Sequence, residues 1–227
     1  MAGSEVDSRQ EAEVAVVGAG PGGATLAYPL ARSGVDVTLV ERERDLDRSF
    51  RGYLYQPFVL RTFDEMGALE PVLDLEHYTV ESPSLVVYGR TVAPFDFSTY
   101  EPPYDRAMLM EQPPLLRLLI ERAGAYDGFE YRGGTTVRDL LTERGRVVGV
   151  EARDRAAAEE IEIRSRLVVG TDGRYSTVRE AAGIDAGLLD SSLKLVWFKS
   201  TSGWAAARPR SATWSRRGDS PACGRTV

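Results

Sequence analysis

Between Glu13 and Arg42 the chain reads EVAVVGAGPGGATLAYPLARSGVDVTLVER, and few folds can carry such a stretch. An apolar strand runs directly into Gly18-Ala19-Gly20-Pro21-Gly22-Gly23. A helical run follows to Ser33, Gly34 stops it, and a second apolar strand ends at Glu41. A bare GxGxxG says little in a chain with 22 glycines, so the setting decides, and here it is a βαβ unit. Gly18 permits the tight turn, Gly20 lets the backbone approach a pyrophosphate, and Gly23 lets the helix pack close to the strand. The N–H groups and the positive end of the new helix then face the phosphates, with Ala19, Pro21 and Gly22 completing the turn. Glu41 lies eighteen residues after Gly23, where its carboxylate can accept the hydroxyls of an adenosine ribose. An acid there disfavours a 2′-phosphate, so the turn is read as one for FAD or NAD rather than NADP. The competing reading is a glycine-rich turn in a βαβ unit that holds no ligand.

Composition narrows the chemistry further. A chain of 227 residues can bury a substantial core, and its 43% hydrophobic content is that of a globular protein. Cys223 is the only cysteine and His77 the only histidine, so no internal disulfide, cysteine metal cluster, histidine metal site or His-based triad is expected. No run of 18 apolar residues appears, and the first twelve residues lack the apolar core of a signal peptide, which points to a cytoplasmic protein with no membrane span. The net charge is −6 but uneven: residues 201–227 hold five arginines against Asp219, and the remainder is strongly acidic. An acidic body argues against nucleic acid as a partner.

Further along, residues 57–66 suit a helix stopped by Gly67. Residues 84–97 look like a hairpin turning at Gly89-Arg90, and Gln112-Pro113-Pro114 opens a second helix. Val137–Leu141, Arg146–Ala152 and Ile161–Ile163 read as a three-stranded meander. Leu167-Val168-Val169 reads as a separate, fully apolar strand of the parallel type, leading into Gly170-Thr171-Asp172-Gly173 and a short helix. A further strand is expected at 193–199. From Thr201 the hydrophobic period disappears, and such a segment cannot bury enough apolar surface to offset its ordering entropy. The tail reads like translation in a shifted frame.

With these motifs located, roughly residues 12–200 resemble the FAD-dependent aromatic hydroxylases, the single-component flavoprotein monooxygenases of the p-hydroxybenzoate hydroxylase type. Three stretches carry the resemblance: VVGAGPGG with Glu41-Arg42, the Arg51-Gly52 loop with the helix at Gln112, and LVVGTDGRYSTVRE at 167–180. The fold implied is α/β, a Rossmann-like FAD-binding domain of parallel sheet plus meander, with an incomplete substrate-domain sheet. Its parts would be a disordered 1–11, an FAD-binding domain over 12–200 and a disordered basic tail over 201–227. Within 12–200, a partial substrate-domain insertion would span about 78–104, and a second segment would begin at about 190–200. The resemblance implies that Arg42 flanks the adenine and that Arg51 reaches the FAD phosphates and ribitol. It further implies that Gln112 bonds FAD near the isoalloxazine and that Val137 meets the adenine through its backbone. Asp172 and Gly173 would touch the ribitol and pyrophosphate. For these positions the plain structural roles also stand: solvated charge for Arg42 and Arg51, helix start for Gln112, core for Val137, helix cap for Asp172.

The activity implied is an NAD(P)H-dependent monooxygenase that hydroxylates an aromatic or polyketide-like small molecule through a flavin hydroperoxide. The flavin does that chemistry, so no catalytic residue and no metal ligand is nominated. Two departures stand out. Pro29 falls inside the first helix, where it removes a bond to the carbonyl of Thr25. The family also continues for about as much sequence again, so the alternatives are a truncated, non-catalytic FAD-binding remnant or a prenyl-reductase-type flavoprotein. A halogenase is disfavoured because the only lysines are Lys194 and Lys199. The sequence carries no signal for the oligomeric state.

Overall fold

The computed structural model describes residues 8–47, 54–83, 85–92 and 95–187. They divide into two units, residues 8–47 with 116–187 and residues 54–115. In chain order the elements begin with β1 (Ser8–Val17), α1 (Pro21–Arg32), β2 (Val37–Glu41), β3 (Leu54–Tyr55), α2 (Pro57–Glu65) and α3 (Leu69–Leu73). There follow β4 (Tyr78–Val80), β5 (Leu85–Val87), β6 (Arg90–Val92), β7 (Ala107–Leu109) and α4 (Gln112–Ala123). The last are β8 (Phe129–Gly133), β9 (Thr135–Glu143), β10 (Arg146–Asp154), β11 (Glu159–Gly170) and α5 (Thr177–Ala181).

The first unit is built on a six-stranded sheet in the order β8-β2-β1-β11-β10-β9. Strands β8, β2, β1 and β11 run parallel, while β11, β10 and β9 alternate as the expected meander. The α/β class read from the sequence therefore holds. Period-two spacing puts Ala15 and Val17, Val150 and Ala152, and Ile161 and Ile163 on common faces, where they pack with Val40 and Val137 into one buried cluster.

Two strands are longer than the sequence pattern suggests. The third meander strand and the apolar parallel strand are one element, β11, paired with β1 in a single register from Ser8↔Ile161 to Ala12↔Ser165 and from Val14↔Leu167 to Val17↔Gly170. Polar Arg164-Ser165-Arg166 had marked a break, yet no glycine or proline interrupts the backbone there. Arg164 pairs with Glu143 and Glu162, and Ser165 is buried. Likewise β1 starts at Ser8, inside the stretch 1–11 expected to be disordered. Its polar end is held by partners: Gln10 donates to Thr38 Oγ1 at 3.1 Å, and Arg132 Nε donates to Gln10 Oε1 at 2.6 Å.

Helix α1 buries Gly23, Ala24, Ala27, Tyr28 and Ala31, a stripe of mostly small side chains at helical spacing. It continues through Pro29 to Arg32. The second unit holds α2, α3, the sheet β3-β7-β4 and the separate ribbon β5–β6. The ribbon turns at Tyr88-Gly89, one residue before the expected Gly89-Arg90, and both central residues have positive φ as a type I′ turn requires. The expected insertion at 78–104 falls within this unit, whereas the strand at 193–199 and the tail at 201–227 lie outside the described residues. Because Pro29 leaves Thr25 without its helical donor, Pro29→Ala is expected to raise stability by about 1–3 kcal/mol, read as a higher urea midpoint.

Candidate functional site

At the carboxyl ends of β1, β2 and β11 the glycine turn is held by a short set of hydrogen bonds. Gly18, at φ 102°, donates its N–H to the Val40 carbonyl at 2.7 Å. Thr171 donates its N–H to the Val17 carbonyl at 2.8 Å. Its Oγ1 lies 2.8 Å from that carbonyl and 2.7 Å from the Gly18 carbonyl. A Cβ on Gly18 would meet the Thr171 carbonyl at 2.7 Å, and one on Gly23 would meet the Gly18 carbonyl at 1.9 Å. The turn closes only with glycine at both positions.

Glu41 is buried at the tip of β2. Its Oε2 accepts from Ala19 N at 2.9 Å and its Oε1 from Glu43 N at 3.1 Å. The structure thus brings the acid of the second strand onto the glycine turn. Helix α1 starts at Pro21 with Gly20 as N-cap, and neither a side-chain cap nor an acidic residue occupies its first turn. A Cβ on Gly22 would meet nothing within 4 Å. A helix N-terminus left without a protein cap, beside open space at Gly22, is suited to a phosphate.

The other expected site residues divide by position. Asp172 and Gly173 follow directly on β11, so they share the strand ends with the glycine turn. Both Asp172 oxygens serve α5: Oδ1 accepts from Ser176 Oγ at 2.5 Å and Oδ2 from Val178 N at 3.2 Å. Ser176 is the N-cap, accepting from Arg179 N at 3.0 Å. Val137 belongs by its side chain to the buried cluster. Arg42 is exposed and paired with Glu43 at 3.2 Å. Gln112 opens α4 within the second unit, and Arg51 lies outside the described residues.

Sequence reasoning had passed over two features. One is Thr171, visible only as the residue between Gly170 and Asp172. The other is a cavity of about 560 Å³ beside Arg42, lined also by Glu43, Thr136, Arg138, Arg153 and Arg155. Its only signal was an arginine at alternate positions of a strand. Among the described residues no group of His, Cys, Asp or Glu is placed to hold a metal ion, and no helix is long and apolar enough to cross a membrane.

The profile of the FAD binding domain family matches residues 11–212. The chain belongs to this family. It is 41% identical over 172 residues to 6-methylpretetramide 4-monooxygenase of Streptomyces rimosus, covering 76% of this chain and 41% of that protein. To the probable NADH-specific resorcinol 4-hydroxylase of Rhodococcus jostii it is 31% identical over 178 residues, covering 77% and 33% respectively. Among solved structures it is similar to Pseudomonas aeruginosa PqsL, described as a probable FAD-dependent monooxygenase, with 27% identity and a TM-score of 0.65. That likeness covers 78% of this chain and 47% of PqsL, which has also been solved with 2-aminobenzoylacetate. The chain spans less than half the length of these relatives. They are named as monooxygenases and a hydroxylase, and FAD is the cofactor of the domain family to which the chain belongs. The uncapped start of α1, the opening at Gly22 and the buried acid beside them fit a dinucleotide of that type.

Thr171→Val, which keeps the shape and removes the donor, is expected to lower stability by about 1 kcal/mol in a urea titration, with Thr171→Ser retaining most of it.

Proposed function

We propose that this chain is the cofactor-binding part of an NAD(P)H-dependent FAD monooxygenase that hydroxylates an aromatic or polyketide-like small molecule. The observation that carries the reading is the junction of the glycine turn, Glu41 and Thr171-Asp172 at three parallel strand ends, beside a helix N-terminus with no protein cap. The 41% identity to 6-methylpretetramide 4-monooxygenase supports the substrate class. The relative named as an NADH-specific resorcinol hydroxylase supports a nicotinamide co-substrate, and PqsL with 2-aminobenzoylacetate supports a small aromatic ligand.

When bound, FAD supplies the redox chemistry, taking electrons from NAD(P)H and activating oxygen for transfer to the substrate. The residues of this chain bind and orient it. Gly18, Ala19, Gly20, Pro21, Gly22 and Gly23 present backbone and the α1 dipole to the pyrophosphate. Glu41 accepts from the adenosine ribose, and Arg42 with the Val137 backbone flanks the adenine. Arg51 and Gln112 serve the phosphate–ribitol and ring portions. Asp172 acts by holding α5 and its own loop in place, and Gly173, at φ 88°, turns the chain past the ribitol. No side chain here is assigned to proton transfer.

Purification and assay test this reading. The expected result is a yellow protein that binds FAD and oxidises NADH or NADPH faster when a phenolic or polycyclic polyketide is added. A protein that takes up no FAD contradicts the reading. One that binds FAD and never consumes NAD(P)H with any such compound identifies a non-catalytic binding piece instead.

A further inference from the structure

We propose that a fork in the six-stranded sheet, between the outer edge of β11 and the tip of the β9–β10 hairpin, accepts an extended apolar strand that carries a carboxylate and belongs to another polypeptide chain.

The fork is set by where pairing stops. Strand β11 is paired with β1 as far as Gly170, but on its other side β10 reaches only to Arg164. Strand β10 itself runs on, paired with β9 as far as Arg146. The two part at Gly149, whose φ is 152° and where a Cβ would meet the Ile163 carbonyl at 2.2 Å, so only glycine serves there. Next to it the β9 register shifts between Val147 and Gly149, an irregularity of the kind that bends a hairpin. Beyond the fork, residues 165–170 have no strand on their outer side among the described residues. The Thr171 N–H goes to Val17 of β1, so by alternation the amides of Val168 and Gly170 face this open edge.

The walls of the fork suit an apolar chain. They enclose a cavity of about 720 Å³ that includes Val14, Val147 and Leu167. Leu167 is 55% exposed and Val147 43%, although Val14, the strand partner of Leu167, is buried. Strands of a parallel sheet are normally covered on both faces. Ser165 lines the same cavity, and its Oγ is buried without a hydrogen-bond partner. A buried hydroxyl left that way is costly. A backbone laid along the edge supplies it with N–H and C=O groups, as an apolar small molecule does not.

Charge then narrows the occupant. Of the carboxylates lining the fork, Glu13 is engaged by Arg166 at 3.3 Å and by the Asp36 N–H at 3.3 Å, and Glu143 is engaged by Arg164. Among the described residues Arg144 and Arg146, at the hairpin tip, have no ion-pair partner. The incoming strand therefore carries an acid beside that tip. Main-chain bonds along an open edge give such a complex its affinity, while side chains and charge choose the partner.

Calorimetric titration of the full chain with a capped hexapeptide of alternating valine and threonine, bearing one glutamate near its start, tests the proposal. Saturable binding is expected, with slowed amide exchange in segments covering 165–170 and 146–149. Replacing the glutamate by lysine is expected to weaken the peptide about tenfold, and the double variant Arg144→Glu/Arg146→Glu to reverse that preference with an unaltered circular-dichroism melt. A merely structural role for the two arginines does not move the preference from one peptide to the other. The proposal is overturned if neither peptide binds at millimolar concentration, or if binding leaves exchange at 165–170 unchanged. It is also overturned if the double variant keeps the wild-type preference. Protection of 165–170 that grows with protein concentration in the absence of peptide assigns the edge to a second copy of this chain and likewise overturns it.

Discussion

The junction of Thr171 with the carbonyls of Val17 and Gly18 is the constraint on which the site depends. It fastens the exit of β11 to the exit of β1, and the Gly18 N–H fastens β1 in turn to the end of β2. Three parallel strand ends are thereby held at one point, and a ligand site at such a point is the rule for open α/β sheets. The closeness has a steric consequence. With the Gly18 carbonyl 1.9 Å from where a Gly23 Cβ would be, α1 can begin there only with glycine. Its first turn carries no side-chain cap.

Much of this was legible in the sequence because it is written in local chemistry. The βαβ unit, its tight turn at Gly18 and the close helix packing at Gly23 follow from where glycine is indispensable. The helix start at Gln112 follows from prolines placed where a first turn tolerates them, and the meander from period-two alternation with glycine turns. The parallel order around β1 follows once the crossover helix is recognised.

What escaped was decided by tertiary partners. Residues 8–11 and Arg164-Ser165-Arg166 are polar, and polarity alone reads as a tail and a break. Pairing of β1 with β11 in one register on both sides of Glu13, with Gln10 and Arg164 given partners, keeps both in strand. Asp172 shows the limit of a motif: the residue stands where expected, yet its two oxygens are committed to α5, a pairing only the fold reveals. The arginines around the cavity beside Arg42 are far apart in the chain, and only the fold brings them to one place.

The central claim is that FAD lies with its pyrophosphate on the start of α1 and its adenosine against Glu41. Amide hydrogen exchange, followed by peptide mass spectrometry with and without saturating FAD, tests it most directly. The account predicts slowed exchange in peptides covering Ala19–Ala24 and Arg42–Glu43. Saturating FAD that leaves exchange at both segments unchanged would contradict it.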